Sequence, residues 1–129
     1  MTAPLSRRIL LAEDDARARE ISALVLQTEG YRVSMASNGT QALEMLMLDP
    51  EVDMLVSDIN MPGGIDGIQL ARRAQQNLVP LRIILLSAYP QDSFTDFPDN
   101  VAFLSKPYDR RALLNAVSIS FMKEGGSIN

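Results

Sequence analysis

Four short apolar runs along the chain each stop at a polar residue with chemistry to offer, and this punctuation constrains the fold more than any other feature. Arg8 to Ala12 (RILLA) ends at Glu13-Asp14-Asp15, and Val52 to Ser57 ends at Asp58. Arg82 to Leu86 (RIILL) ends at Ser87, and Val101 to Leu104 ends at Ser105-Lys106-Pro107. Runs this short, bounded by polar residues, read as strands buried on both faces. A fifth strand, Tyr31 to Ala36 (YRVSMA), alternates in character and breaks at Ser37-Asn38-Gly39.

Helical patterns fill most of the intervals. Ile21, Leu24, Val25 and Thr28 recur at helical spacing before Gly30 closes the element, and Leu43, Leu46 and Met47 form a second stripe ended by Asp49-Pro50. Met61-Pro62-Gly63-Gly64 cannot be regular structure, but Asp66 suits the N-cap of a helix carrying Gly67, Leu70, Ala71 and Ala74 on one face. Asp109 suits the cap of a last helix that buries Leu113, Val117 and Phe121. Between Tyr89 and Asn100, Pro90 and Pro98 flank only seven residues, which leaves room for a turn or two of helix at most. The tail from Gly125 to Asn129 is expected to fray. Strands alternating with helices predict an α/β fold, a parallel sheet covered on both faces. We read residues 1–129 as one domain with an ordered core over about 7–123, a length at which 47% hydrophobic residues supply a single core.

Composition removes several classes of function. Acidic residues outnumber basic ones by 16 to 12, and no run of Lys or Arg can track a phosphate backbone, so nucleic-acid binding is not expected. No cysteine is present, which excludes disulfides and thiolate chemistry, and the absence of histidine excludes imidazole bases on this chain. No apolar run approaches the roughly 20 residues that span a bilayer, and Met1 to Arg8 lacks a signal-peptide core. A soluble, cytoplasmic protein is the expectation.

In an open parallel sheet the functional crevice lies at the carboxyl ends of the strands. Glu13, Asp14, Asp58, Ser87 and Lys106 all fall at those ends. Each alone has an ordinary role: an acid caps a helix or opens a turn, and lysines are common on surfaces. Together, three carboxylates at one sheet edge repel by about 4 kcal/mol per close pair unless a cation sits among them. Mg²⁺ answers that conflict, since it takes a carboxylate or two and fills its shell with water or phosphate oxygens. Lys106, one of two lysines against ten arginines, adds positive charge. A carboxylate beside a divalent cation and an ammonium suits phosphoryl acceptance as an acyl phosphate. On this reading Asp58 is the nucleophile, Asp14 a direct metal ligand, Glu13 a ligand through water, and the main-chain carbonyl of Asn60 a further ligand, with Asp58 itself completing the set. Lys106 and the hydroxyl of Ser87 pair with phosphoryl oxygens.

These segments resemble the response-regulator receiver domain of two-component signalling. The similarity runs from Arg8-Ile-Leu-Leu-Ala-Glu-Asp-Asp15 through Asp58-Ile-Asn-Met-Pro62 and Asp66-Gly67 to Lys106-Pro107. It implies a flavodoxin-like sheet of strand order 2-1-3-4-5, Mg²⁺ or Mn²⁺ as cofactor, and a phosphoacceptor rather than an enzyme. It also implies a histidine kinase or histidine phosphotransfer protein as donor and an unidentified protein target downstream. The family's acidic pair falls on Glu13 and Asp14, which leaves Asp15 as helix cap. Its switch positions fall on Ser87 and Phe103, and its Lys-Pro bond is typically cis. Here the switch hydroxyl is Ser rather than the commoner Thr, and Gly63-Gly64 lengthens the loop after Asp58 by a residue. The family's fourth helix has only the short Tyr89 to Asn100 stretch to occupy.

Asn60 and Tyr89, each two residues past a site residue, are expected to flank the phosphoryl group, with the Tyr89 ring shielding it from water. Phe94 and Phe97 are either core residues or exposed anchors for a partner. Two rival functions stay open on the residues: a haloacid-dehalogenase-like phosphatase, which would want an acid where Asn60 stands, and a docking module independent of phosphorylation.

Overall fold

Alternate residues of one strand face opposite sides of a sheet, so β1 (Arg8–Ala12) sends Leu10 and Ala12 one way and Ile9 and Leu11 the other. The two cores of the molecule follow from that alternation. In the computed structural model, which describes residues 6–77 and 80–123, the elements succeed one another as β1, α1 (Ala16–Thr28), β2 (Arg32–Ala36), α2 (Gly39–Leu48), β3 (Met54–Asp58), α3 (Gly67–Asn77), β4 (Arg82–Ser87), a 3-10 turn (Gln91–Ser93), β5 (Ala102–Ser105) and α4 (Arg110–Met122). The strands are parallel throughout, in the order β2-β1-β3-β4-β5. One core packs α2 and α3 on Leu10, Leu55 and Leu85, and the other packs α1 and α4 on Ile9, Val56 and Ile84. Burying a side chain of this size contributes about 1.5–3 kcal/mol.

Helix starts are set by side chains read directly from the sequence. Asp15 Oδ1 accepts from the main-chain N–H groups of Arg17 (2.9 Å) and Ala18 (3.2 Å), and Asp109 Oδ1 accepts from Ala112 (2.8 Å). Asp66 and Gln69 exchange bonds, Gln69 N to Asp66 Oδ1 at 2.8 Å and Asp66 N to Gln69 Oε1 at 2.9 Å, a reciprocal capping box. Each cap stabilises its helix by about 1 kcal/mol. Gly30, at φ 93°, takes the left-handed conformation that ends α1, as its sequence position predicts.

The segment after β4 holds one 3-10 turn in place of a fourth helix, in keeping with its spacing of prolines. Phe94 and Phe97 are core residues rather than exposed anchors: both are half-buried against the α2–α3 core, and Phe97 meets Phe103 edge to face at 5.9 Å. Two helical stripes differ from expectation. Helix α1 buries Ser22, Ala23 and Leu26 and leaves Ile21 and Leu24 exposed, and in α2 Met47 is exposed while Ala42 and Leu46 are buried. Small residues let a helix approach the sheet closely, so the inward face is chosen by fit rather than by apolar count alone. The expected fraying of the tail concerns residues outside those described. Among the described residues, no helix is long and apolar enough to cross a membrane.

Candidate functional site

Parallel pairing delivers the ends of β1, β3, β4 and β5 to one edge. Asp58 is the last residue of β3, in register with Leu86, and Ser87 is the last of β4, in register with Ser105. Main-chain bonds continue past the strands. Ile59 N donates to Leu86 O at 2.9 Å, and Lys106 N donates to Ser87 O at 2.8 Å, which fixes where each loop departs. Helix α3 closes in beneath Asp58: Gly67 N donates to Ile59 O at 2.8 Å, and a Cβ on Gly67 would strike the main-chain oxygen of Asp58 and lie 2.7 Å from Ile59 Cα. Only glycine fits there.

Glu13, Asp14 and Asp58 each offer a carboxylate oxygen within 4.8 Å of the others, a set that could hold a metal ion. Glu13 and Asp58 are buried, at 2% and 6% exposure, while Asp14 is open to solvent. Lys106 Nζ stands between the two buried acids, 3.0 Å from Asp58 Oδ1 and 3.2 Å from Glu13 Oε1. The acidic loop is braced from behind: Glu13 Oε2 accepts from Asp15 N at 3.2 Å, and Arg19 Nη1 donates to the Glu13 carbonyl at 2.7 Å. With Asp15 spent on the cap of α1, Glu13 and Asp14 are the acids turned to the site.

Electrostatics are consistent with that crowding. Burial pushes the Asp58 carboxyl above the usual carboxylate range, with Asp14 adding to the rise and Lys106 opposing it. Burial, then the charge of Asp58, pushes Glu13 up as well. For Lys106, burial works to lower the value, but its hydrogen bond to Asp58 and the charges of Asp58 and Glu13 win, and the ammonium is held above its ordinary value. One ammonium leaves three carboxylates undercompensated, and the all-oxygen donor set fits a hard divalent cation.

The remaining expected residues lie around this cluster. Ser87 is buried, and its Oγ accepts from Tyr89 N at 3.0 Å. Tyr89 itself is exposed, as is Asn60 just beyond β3. Phe103 is half-buried against the α2–α3 core beside Phe97, and the Lys106-Pro107 bond is cis. Gly63 and Gly64, at φ 85° and 144°, absorb the longer loop after Asp58. Arg19 and the Gly67 contact were not singled out as site features by sequence, although Asp66-Gly67 marked the place. An arginine bound to a carbonyl six residues earlier carries no sequence signal.

A parallel sheet of order 2-1-3-4-5 with an acid cluster and an ammonium at its carboxyl edge defines a class of phosphate-handling α/β domains. Residues 9–118 match the family described as the response regulator receiver domain, and the chain is a member of that family. It is 38% identical over 114 residues to the response regulator receiver protein CpdR of Brucella abortus strain 2308, covering 86% of this chain and 93% of that one. It is 34% identical over 123 residues to the sensor kinase CckA of the same organism, covering 92% of this chain but 13% of that protein. Among solved structures, the receiver domain of the hybrid histidine kinase CckA superposes with a TM-score of 0.75 at 33% identity, over 88% of this chain and 97% of that one. A response regulator receiver protein from Sinorhizobium medicae WSM419 gives 0.83 at 28% identity, over 91% and 95%. The chain is thus a phosphoaccepting response-regulator domain, and the phosphatase alternative is not favoured.

Proposed function

We propose that Asp58 is the phosphoacceptor and that the ammonium of Lys106, lodged between Asp58 and Glu13, is the group that readies it. That bridging lysine, 3.0 Å from the acceptor carboxylate, is the observation that carries the assignment. An oxygen of Asp58 attacks the phosphorus of a phosphohistidine on a histidine kinase or histidine phosphotransfer protein. The P–N bond breaks, the imidazole leaves with the electron pair and takes up a proton, and the acyl phosphate remains on Asp58. Lys106 pairs with a phosphoryl oxygen where charge accumulates, and the Ser87 hydroxyl turns to donate to another. Asp14, Asp58, the main-chain carbonyl of Asn60 and, through water, Glu13 would hold Mg²⁺ or Mn²⁺, which would supply charge stabilisation to the phosphoryl oxygens. Asn60 and Tyr89 flank the group.

Movement of Ser87 removes the acceptor that Tyr89 N now uses, and Phe103 repacks in response, which changes the face presented to a downstream protein. The protein is thereby a switch or a carrier of phosphoryl groups rather than an enzyme acting on a separate substrate, and a chain without cysteine suits the cytoplasm. Formation of a beryllofluoride adduct with Mg²⁺ on the wild type and none on Asp58→Asn is the expected result. A folded wild type that takes no adduct would remove the assignment. Comparing proteins captured by the phosphorylated and Asp58→Asn forms separates a regulator, whose partners change with state, from a phosphate sink, whose contacts are donors alone.

A further inference from the structure

Two hydroxyls with no part in phosphoryl transfer meet on the flank of the site. Ser22, on the buried face of α1, and Tyr108, two residues past Lys106, approach to 3.0 Å, and either can donate. Among the described residues, Ser22 belongs to a short set of buried polar residues whose other members, Glu13, Ser57, Asp58 and Ser87, all lie within a residue of the carboxyl end of a strand. A hydroxyl buried beside Ala23 and Leu26 costs stability unless it is bonded, so its presence on this face asks for a role. The Tyr108 ring packs against the α1–α4 core, a task that phenylalanine would perform equally well. What phenylalanine lacks is the oxygen that reaches Ser22.

The same face of α1 holds a second loop. Arg19, three residues before Ser22 and therefore a neighbour on the helix surface, donates to the Glu13 carbonyl at 2.7 Å. Helix α1 thus grips the acid-bearing loop through Arg19 and the lysine-bearing loop through Ser22. Burial foremost raises the Tyr108 hydroxyl above its ordinary value, and the charges of Glu13, Lys106 and Asp58 all register at it, as expected of a group close to the cluster.

We infer that the Tyr108–Ser22 hydrogen bond positions Lys106, tying the loop after β5 to α1 so that the ammonium stands between Asp58 and Glu13. This rests on Asp58 being the phosphoacceptor. Tyr108 is none of the groups assigned to the metal or to the phosphoryl oxygens, and it acts only through the lysine. The metal ligands sit on the β1–α1 loop and the end of β3, so they keep their places when the bond is lost.

The test uses the full chain with Mg²⁺ and acetyl phosphate as donor. At saturating Mg²⁺, Tyr108→Phe is expected to lower the maximal rate of Asp58 phosphorylation roughly fivefold, the scale of one net hydrogen bond. Ser22→Ala should do the same, and the double variant should lose no more than either alone. In a Lys106→Ala background, Tyr108→Phe should change nothing, because the residue it positions is gone. A wild-type rate for Tyr108→Phe, or an equal fractional loss with and without Lys106, overturns the inference. Should Tyr108→Phe fail to fold, Ser22→Ala decides by the same two criteria. If the wild type itself accepts no phosphoryl group, the assignment of Asp58 falls and takes this inference with it, a result distinct from a silent Tyr108→Phe.

Discussion

Replacing Asp58 with asparagine should make the metal-free protein more stable, although it removes the proposed phosphoacceptor. Carboxylate oxygens of Glu13 and Asp14 lie within 4.8 Å of one on Asp58. At an effective dielectric of about 20, a charge pair at that separation repels by about 3.5 kcal/mol. Lys106, at 3.0 Å, attracts Asp58. On the same scale that attraction is about 5.5 kcal/mol. Two repulsions against one attraction leave the Asp58 charge unfavourable by about 1–2 kcal/mol, and burial adds to that. Asparagine keeps the shape and an acceptor oxygen for Lys106. The variant should therefore melt about 5 °C higher in EDTA at neutral pH, followed by circular dichroism.

Two further arms fix the cause. Added Mg²⁺ should stabilise the wild type by mass action and close or reverse the gap. Acidification should also narrow it. Asp58 and Glu13 have raised values in the fold, so just above the usual carboxylate range the native state binds more protons than the unfolded chain, and wild-type stability rises as pH falls through that window. If Asp58→Asn melts no higher than the wild type in EDTA, the carboxylates are not in the conflict that calls for a cation.

Gly67→Ala should cost about 1–3 kcal/mol and impair phosphorylation together, because the new methyl group must push the end of β3 away; unchanged melting and labelling would contradict the close approach. Tyr89→Ala should shorten the lifetime of the acyl phosphate by a factor of roughly two or more with Mg²⁺ present, and an unaltered decay would dispose of the shielding role. Phe97→Ala should cost about 2 kcal/mol and raise amide exchange over residues 91–101, since it removes the edge-to-face partner of Phe103; full protection there would show the segment is held by other contacts.

The sheet was legible because its buried strands are short apolar runs with polar stops, and the caps were legible because Asp15, Asp66 and Asp109 act on their own neighbours in sequence. Strand ends moved by a residue or two, as with β3, which starts at Met54 rather than Val52 and includes Asp58. The inward face of α1 was not legible. Ile21 and Leu24 have the apolar spacing, but the contact with the sheet goes to Ser22, Ala23 and Leu26, and close packing depends on a surface the helix does not itself encode. The acid cluster followed from strand ends alone, whereas the bonds around it, from Arg19 to the Glu13 carbonyl and between Tyr108 and Ser22, join groups whose meeting only the tertiary structure specifies.

Helix α3 holds the stretch after β4 by its backbone. The Arg72 guanidinium donates to the carbonyl of Asp96, and Gln75 Nε2 donates to the carbonyl of Asp99 at 2.9 Å. A carbonyl is the same on every residue, so these grips do not depend on which side chains the gripped positions carry. Between the anchors Phe94 and Phe97, the outward positions can be rewritten without disturbing how the chain is held. A scaffold of this kind lets the surface of the segment change one residue at a time, while the cluster at the carboxyl ends of the strands, from which the segment departs, stays as it was.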